Sequence, residues 1–459
     1  MMPDTTAKAS VRKRERSVTL DALKVRQLAA SRGMKGLPAF EREFIRHIAQ
    51  PSDITTEPTT PKNAWNGIKL DKNKAMTLAE FLGLSNYEAL LPPIFPELIY
   101  PTPLQWNAHY SPPGALLKAE YAIVPFHQRE QELNDLMTWC LDDNPVAVRL
   151  YTGAGGMGKT RLASEQCQQL KKQYHWATGF LRHGTTEGEG QKRFDWLAML
   201  ETPAFIVIDY AETRRNEVLM LLAAALRVNT KVRVVLLARA AADWWSILKQ
   251  AGQSVGDLLM GQATSWIVLR PLFLRLRDRE ESFLLASKHF AQRLQCDPAL
   301  DMPADIQAEH FERVLLLHMQ ALINVDGKQA SQGLQSILEV ILNRERHFWE
   351  RQAYEQMLPK SLHKAIGTAM AKITLIGGVP DKQSAERILS NIPLLMESKY
   401  HERRAIIDLL HGIYPCHQAT AVDENQPCNY IEPLQPDLLG EYLIQEELMN
   451  DPDTILDCI

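Results

Sequence analysis

The stretch Gly153-Ala-Gly-Gly-Met-Gly-Lys-Thr160 combines residue types and spacing that suit a bound polyphosphate. Phosphate oxygens need several backbone N–H groups converging on one point. Glycine lets a loop curl that tightly and lets the anion approach with no Cβ in the way. A helix beginning at Lys159 would add its free N–H groups and the positive end of its dipole. The Lys159 ammonium would meet the β- and γ-phosphates, and the Thr160 hydroxyl would ligate Mg²⁺. The pattern is GxxxxGK[ST], which makes Gly153, Ala154, Gly155, Gly156, Met157, Gly158, Lys159, Thr160 and the adjoining Arg161 the candidate nucleotide-binding residues.

The same loop also reads as GxGxxG through Gly153, Gly155 and Gly158, the pattern of a dinucleotide site. That pattern calls for an acidic residue about 20 positions on. Residues 166–186 contain no Asp or Glu, which disfavours a dinucleotide. Guanine-specific sites carry Asn/Thr-Lys-x-Asp after a strand. Thr230-Lys-Val-Arg233 lacks the Asp, so ATP or ADP is expected rather than a guanine nucleotide.

Three further residues stand where such chemistry needs them. Phe205-Ile-Val-Ile-Asp209 is an apolar run ending in a carboxylate fifty residues after Lys159, the position from which an Asp holds Mg²⁺. Thr160 and Asp209 are therefore the expected metal ligands. Glu212, three positions on, is placed to orient or deprotonate an attacking water; its plain alternative is a helix-start carboxylate. The 232–237 run leads into Arg239, which is placed to meet γ-phosphate charge. The alternative for Arg239 is a pair with a carboxylate at the sheet edge.

The elements that must position these residues alternate. Residues 146–152, 177–181, 205–208, 232–237 and 265–269 read as strands, and 159–170 and 217–228 as helices. The expected fold is α/β: a P-loop NTPase parallel sheet with helices on both faces, a small N-terminal helical domain, and a C-terminal helical or winged-helix region. The 459 residues suggest several domains, and a hydrophobic share of 45% is enough for substantial cores. The expected division is a basic disordered tail at 1–17, a helical effector or adaptor domain at 18–95, a Pro-rich linker at 96–114, the P-loop domain at 115–272, a helical domain at 273–360, a winged-helix-like domain at 361–450, and an acidic tail at 451–459. Two helix starts are expected at Thr77 and Ser85, where Glu80 and Glu88 complete the capping-box spacing.

Charge and cysteine usage narrow the setting. The net charge of −4 gives no global pull toward a polyanion. Locally, residues 1–50 hold 11 Lys/Arg against 5 Asp/Glu, whereas 421–459 hold 10 Asp/Glu and no Lys/Arg. Six widely spaced cysteines without a CxxC pair suit reduced thiols. His411, Cys416, His417 and Cys428 fit no common zinc-ligand spacing. The longest apolar run, 218–226, is too short to span a bilayer, and no apolar segment follows the basic N-terminus. The expected location is cytoplasmic, with no membrane partner.

With these parts assembled, the chain resembles the signal-transduction ATPases with numerous domains (STAND), bacterial relatives of the NB-ARC and NACHT modules within the AAA+ superfamily. The resemblance covers roughly 115–450. It is carried by Val124-Pro-Phe-His-Gln-Arg-Glu130 as an entry motif near adenine, by the 153–160 loop, by Asp209-Tyr-Ala-Glu212, by Arg239 as a sensor, and by Leu269-Arg-Pro-Leu272. It adds Arg129 and Pro271 to the candidate binding residues. Gln128 and Arg270 stand where relatives usually have Gly. Thr374-Leu-Ile-Gly-Gly378 and residues 434–441 resemble the family's winged-helix part, where His411 is a candidate nucleotide contact by location. The resemblance implies a slowly hydrolysing ATP/ADP switch with a nucleotide-dependent homo-oligomer and a protein trigger or effector, in signalling or in stress or phage defence. Residues through Ile459 carry no repeat array, which leaves the sensor absent, external or lost. A remodelling ATPase is one alternative. Another is an ATP-gated transcriptional regulator, because Trp65-Asn-Gly-Ile68 and residues 77–91 resemble a phage-repressor helix-turn-helix, with Lys69, Lys72 and Lys74 suited to DNA phosphates.

Overall fold

The computed structural model describes residues 17–18, 25, 29, 34, 37–48, 70–82, 97–182, 190–272, 275–327, 333–396, 398–415 and 429–457. The chain divides into two compact units, Met1–Pro96 and Glu97–Ile459.

In the first unit, β1 (Ser17–Val18) pairs antiparallel with β2 (Leu70–Asp71). The helix Leu37–Ile48 places Phe40 and Phe44 one turn apart on one face. Both rings meet Phe81 of the helix Lys72–Phe81, at centroid distances of 5.9 and 5.3 Å. Thr77 lies buried inside that helix and does not cap its start. The capping-box spacing misleads here because the helix begins at Lys72, directly after β2. The second expected start, at Ser85, lies outside the described residues.

The second unit holds the six-stranded sheet β3 (Leu98–Ile99), β4 (Val146–Thr152), β5 (Ala177–Leu181), β6 (Ala204–Ile208), β7 (Val232–Ala238) and β8 (Thr264–Val268). Its order is β3-β5-β6-β7-β4-β8. All neighbours are parallel except β3, which runs antiparallel to β5. Every residue of β6 and β7 is buried, as central strands of a parallel sheet require, and the one charge among them, Arg233, is paired with Asp142 at 2.6 Å. Phe205, Val207, Val235 and Leu237 pack with Leu133 and Leu136 of the helix Glu130–Leu141 and with Leu162 and Cys167 of the helix Lys159–Gln169. Their alternates Ile206, Ile208, Val234 and Leu236 are equally buried, so the opposite face is covered too.

The Pro-rich 97–114 stretch belongs to this unit. It contributes β3 to the sheet, and the backbone N–H of Gly114 donates to the buried carboxylate of Glu345. Proline prevents regular structure in this stretch but not packing, so the sequence signal for a linker marks a strap.

Beyond the sheet the chain is helical. Leu276–Leu294, Val314–Val325, Leu334–Glu355, His363–Leu375, Tyr400–Ile413 and Asp437–Asn450 share one core with residues of 115–124. Between 363 and 450 an isolated antiparallel bridge joins Val379 to Ile431. No described helix is long and apolar enough to cross a membrane.

Candidate phosphate-binding site

The loop between β4 and the helix Lys159–Gln169 is shaped by glycine where glycine is required. Gly156 and Gly158 have φ of +81° and +88°, a left-handed geometry that side chains with a Cβ disfavour. Gly158 is the N-cap, so the first free N–H groups of the helix open onto the loop. Each strand end supplies a side chain at the same edge of the sheet, because β4, β6 and β7 are parallel and in register: Ile208 faces Leu236, and Thr152 faces Ala238. Phosphate loop, Asp209 and Arg239 therefore meet at the carboxyl ends of the strands, where open α/β sheets place their ligands.

Several side chains converge at this edge of the sheet. Thr160 Oγ1 donates to Asp209 Oδ2 across 2.8 Å. Lys159 Nζ donates to the carbonyls of Gly153 and Ala154 at 2.6 and 3.2 Å. Burial lowers the Lys159 pKa, while the carboxylates of Asp209 and Glu212 act against that shift. Burial pushes Asp209 up to about 6, against the hydrogen bonds it accepts from Thr160 and the Tyr210 backbone. Glu212 Oε1 accepts from the backbone N–H of Arg239 at 3.1 Å. Its Oε2 is buried and has no partner among the described residues. A hydroxyl and a carboxylate 2.8 Å apart beside the loop form the hard-oxygen donor set that Mg²⁺ prefers, and the free Glu212 oxygen is an acceptor suited to a water. The residues therefore fit a magnesium–nucleotide complex.

Other expected residues hold the frame. Arg129, almost fully buried, donates to the carbonyls of Met157 at 2.9 Å and Arg270 at 3.0 Å, and pairs with Glu132 at 2.7 Å. It pins the entry motif to the phosphate loop and to the segment before Pro271. Arg161 turns to Glu165 at 3.2 Å and lies over the Phe126 ring. Met157 packs into the core beneath the sheet. His411 stacks on Tyr430 with centroids 3.9 Å apart and bonds its carbonyl at 2.6 Å. Cys416, His417 and Cys428 lie outside the described residues.

Arg239 is paired with carboxylates that come from a distant helix rather than from the sheet edge. It pairs with Glu441 and reaches Asp437 at 3.5 Å, both on the helix Asp437–Asn450. The Tyr210 hydroxyl donates to the same Asp437 carboxylate, 2.6 Å from each oxygen. Burial, reinforced by Asp437 and Asp209, holds this phenol protonated and therefore a donor. Tyr210 sits at φ +52°, an unfavourable conformation for a bulky side chain. Leu438 lies over Gly155 and Gly156, and the Leu315 backbone N–H donates to the Gly156 carbonyl at 3.1 Å. The motif reading missed Tyr210, Leu315, Asp437, Leu438 and Glu441. Tyr210 lies inside the Asp209-Tyr-Ala-Glu212 stretch and Asp437, Leu438 and Glu441 inside 434–441, both singled out by resemblance but not by contact.

Sheet order, loop geometry and the strand-end carboxylate define a P-loop nucleoside-triphosphatase fold. No family model matches the sequence, and no curated protein matches it. Among solved structures, Cdc6p from Pyrobaculum aerophilum is 16% identical, over 73% of this chain and 98% of that one, with a TM-score of 0.31. A Walker-type ATPase of Pyrococcus abyssi is 12% identical, over 69% and 95%, with a TM-score of 0.28. Domain III of the Thermotoga maritima replication initiation protein DnaA is 11% identical, over 52% and 98%, with a TM-score of 0.31. Overlays this loose carry no functional argument; the fold class rests on the strand order and the site.

Proposed function

We propose that the chain binds ATP with Mg²⁺ and hydrolyses it slowly, as a regulatory switch of the STAND type. The observation that carries this reading is the Thr160–Asp209 contact at the mouth of the phosphate loop, with Glu212 beside it. The loop's N–H groups and Lys159 would hold the phosphates, and Thr160 and Asp209 would hold the metal. A magnesium ion held there would supply positive charge against the phosphate oxygens. Glu212 Oε2 would accept a proton from the attacking water and orient it.

The switch half of the proposal is supported by the helical region. The helix His363–Leu375, the bridge residue Val379, the three helices Lys382–Ser390, Pro393–Met396 and Tyr400–Ile413, and the returning bridge residue Ile431 follow one another, an order that a winged helix with one extra short helical turn would give. The helix that comes next reaches the phosphate loop through Asp437 and Leu438.

Particle mass by light scattering, with ADP and with a non-hydrolysable ATP analogue, tests the reading. A larger or reshaped particle with the analogue alone is expected. Binding of both nucleotides with no change in mass or shape refutes the switch. Rapid turnover stimulated by a polymeric substrate would instead assign a remodelling role.

A further inference from the structure

We propose that Asp437 and Glu441 form a carboxylate latch that competes with the γ-phosphate for Arg239 and Tyr210, so that a triphosphate, and not a diphosphate, releases the helix Asp437–Asn450 from the phosphate loop. The proposal rests on the loop being a nucleoside-triphosphate site.

Three observations meet at this point. The first concerns which groups the latch holds. Arg239 and Tyr210 are the donors at the ends of β7 and just past β6, where the outermost phosphoryl group would lie beside Asp209. Both are held by carboxylates from a helix about 200 residues further along the chain. Two oxygens of Asp437 accept from Tyr210, and Arg239 bridges Asp437 and Glu441. This is the charge and geometry that a phosphoryl group would offer the same donors.

The second concerns charge. Residues 421–459 carry no Lys or Arg, so the helix brings negative charge with no cation of its own to a loop built to receive an anion, and its carboxylates are met by Arg239 and Arg346 from elsewhere in the chain. Lys159 sits in the field of Asp437 as well as that of Asp209 and Glu212. A γ-phosphate and the Asp437 carboxylate cannot share this half-buried space without strong repulsion. A diphosphate lacks the group that would reach it.

The third concerns what release would move. Leu438 covers the loop: a methyl group built on Gly156 would stand 3.4 Å from Leu438 Cδ1, and one on Gly155 would stand 3.7 Å from Leu438 Cδ2. The rest of the helix is fastened to the helical region. Arg346 pairs with Glu446 at 2.9 Å, Thr368 donates to Glu447 at 2.9 Å, and Gly440 lies so close to Thr374 that an added Cβ would stand 2.9 Å from its Cγ2. The tip of the helix thus touches the nucleotide site while its body belongs to the helical region, and freeing the tip leaves the Leu315 hydrogen bond to Gly156 as a remaining tie between that region and the loop.

The test is calorimetric titration of the full chain with ADP and with a non-hydrolysable ATP analogue, each with Mg²⁺. Asp437→Asn/Glu441→Gln is expected to bind the analogue about tenfold more tightly, as removal of a charge-assisted competitor predicts, with ADP affinity changed no more than about twofold. Equal shifts for both nucleotides, or none, overturn the latch. If the unaltered chain binds neither nucleotide, the reading of the loop itself fails and the latch falls with it.

Discussion

The hydroxyl of Thr160 donates to Asp209 Oδ2 across 2.8 Å, joining the start of the helix after the phosphate loop to the end of β6. The pair is already assembled in the protein alone, so a metal would meet preorganised ligands. Asp209→Asn keeps the shape and removes the charge. It is expected to weaken nucleotide binding at least about tenfold when Mg²⁺ is present and to change it little in its absence. Titrations with and without the metal check this, and an unchanged magnesium dependence would move the ligand elsewhere.

Lys159 folds back onto the Gly153 and Ala154 carbonyls. The ammonium therefore holds the loop closed until phosphate oxygens replace those carbonyls. Lys159→Ala removes a partly desolvated charge from the centre of the site. A loss of nucleotide affinity of about a hundredfold is expected, with the circular-dichroism spectrum unaltered. Wild-type affinity in this variant would refute the assignment of the loop.

What the sequence made legible follows from the range of the interactions. β6 announces itself because a strand buried on both faces is apolar throughout, β4 and β7 do so despite one arginine each, Arg149 and Arg233, and Asp209 is conspicuous as the charge that ends the β6 run. The phosphate loop is legible because only glycine tolerates its backbone angles. The latch was not, because Tyr210 and Asp437 are separated by 227 positions and two polar side chains meeting at such range leave no period or spacing. Arg129 enters the candidate binding residues by resemblance, and the structure shows its guanidinium engaged by two carbonyls and Glu132. Thr77 shows a local pattern overridden by a helix that starts five residues earlier.

Glu212 offers one oxygen to the Arg239 backbone and keeps the other free of protein partners among the described residues. Glutamine preserves the first contact and cannot take a proton at the second. Glu212→Gln is expected to bind ATP normally and to hydrolyse it about a hundredfold more slowly, the usual scale for loss of a positioned general base. Phosphate release under single-turnover conditions measures this. Equal rates would assign the water to another residue.

Glu345 supplies a pH dependence that is independent of nucleotide. It is fully buried, accepts from the Gly114 backbone N–H and from the Tyr414 hydroxyl at 2.9 Å, and thereby ties the 97–121 strap to the helical region. Burial pushes its pKa up to about 6 from an ordinary 4.5, and the two hydrogen bonds only partly oppose that. The folded protein therefore holds this proton more tightly than the unfolded chain does. The resulting stabilisation is complete below about pH 4.5 and is lost as pH rises through about 6; the shift corresponds to about 2 kcal/mol. Glu345→Gln cannot titrate, yet it retains an acceptor for Gly114. Urea unfolding at pH 4.5 and pH 7.5 is expected to show the wild type losing about 2 kcal/mol more than Glu345→Gln between the two. Parallel pH profiles for the two proteins would show that the Glu345 carboxyl titrates alike in the folded and unfolded chain.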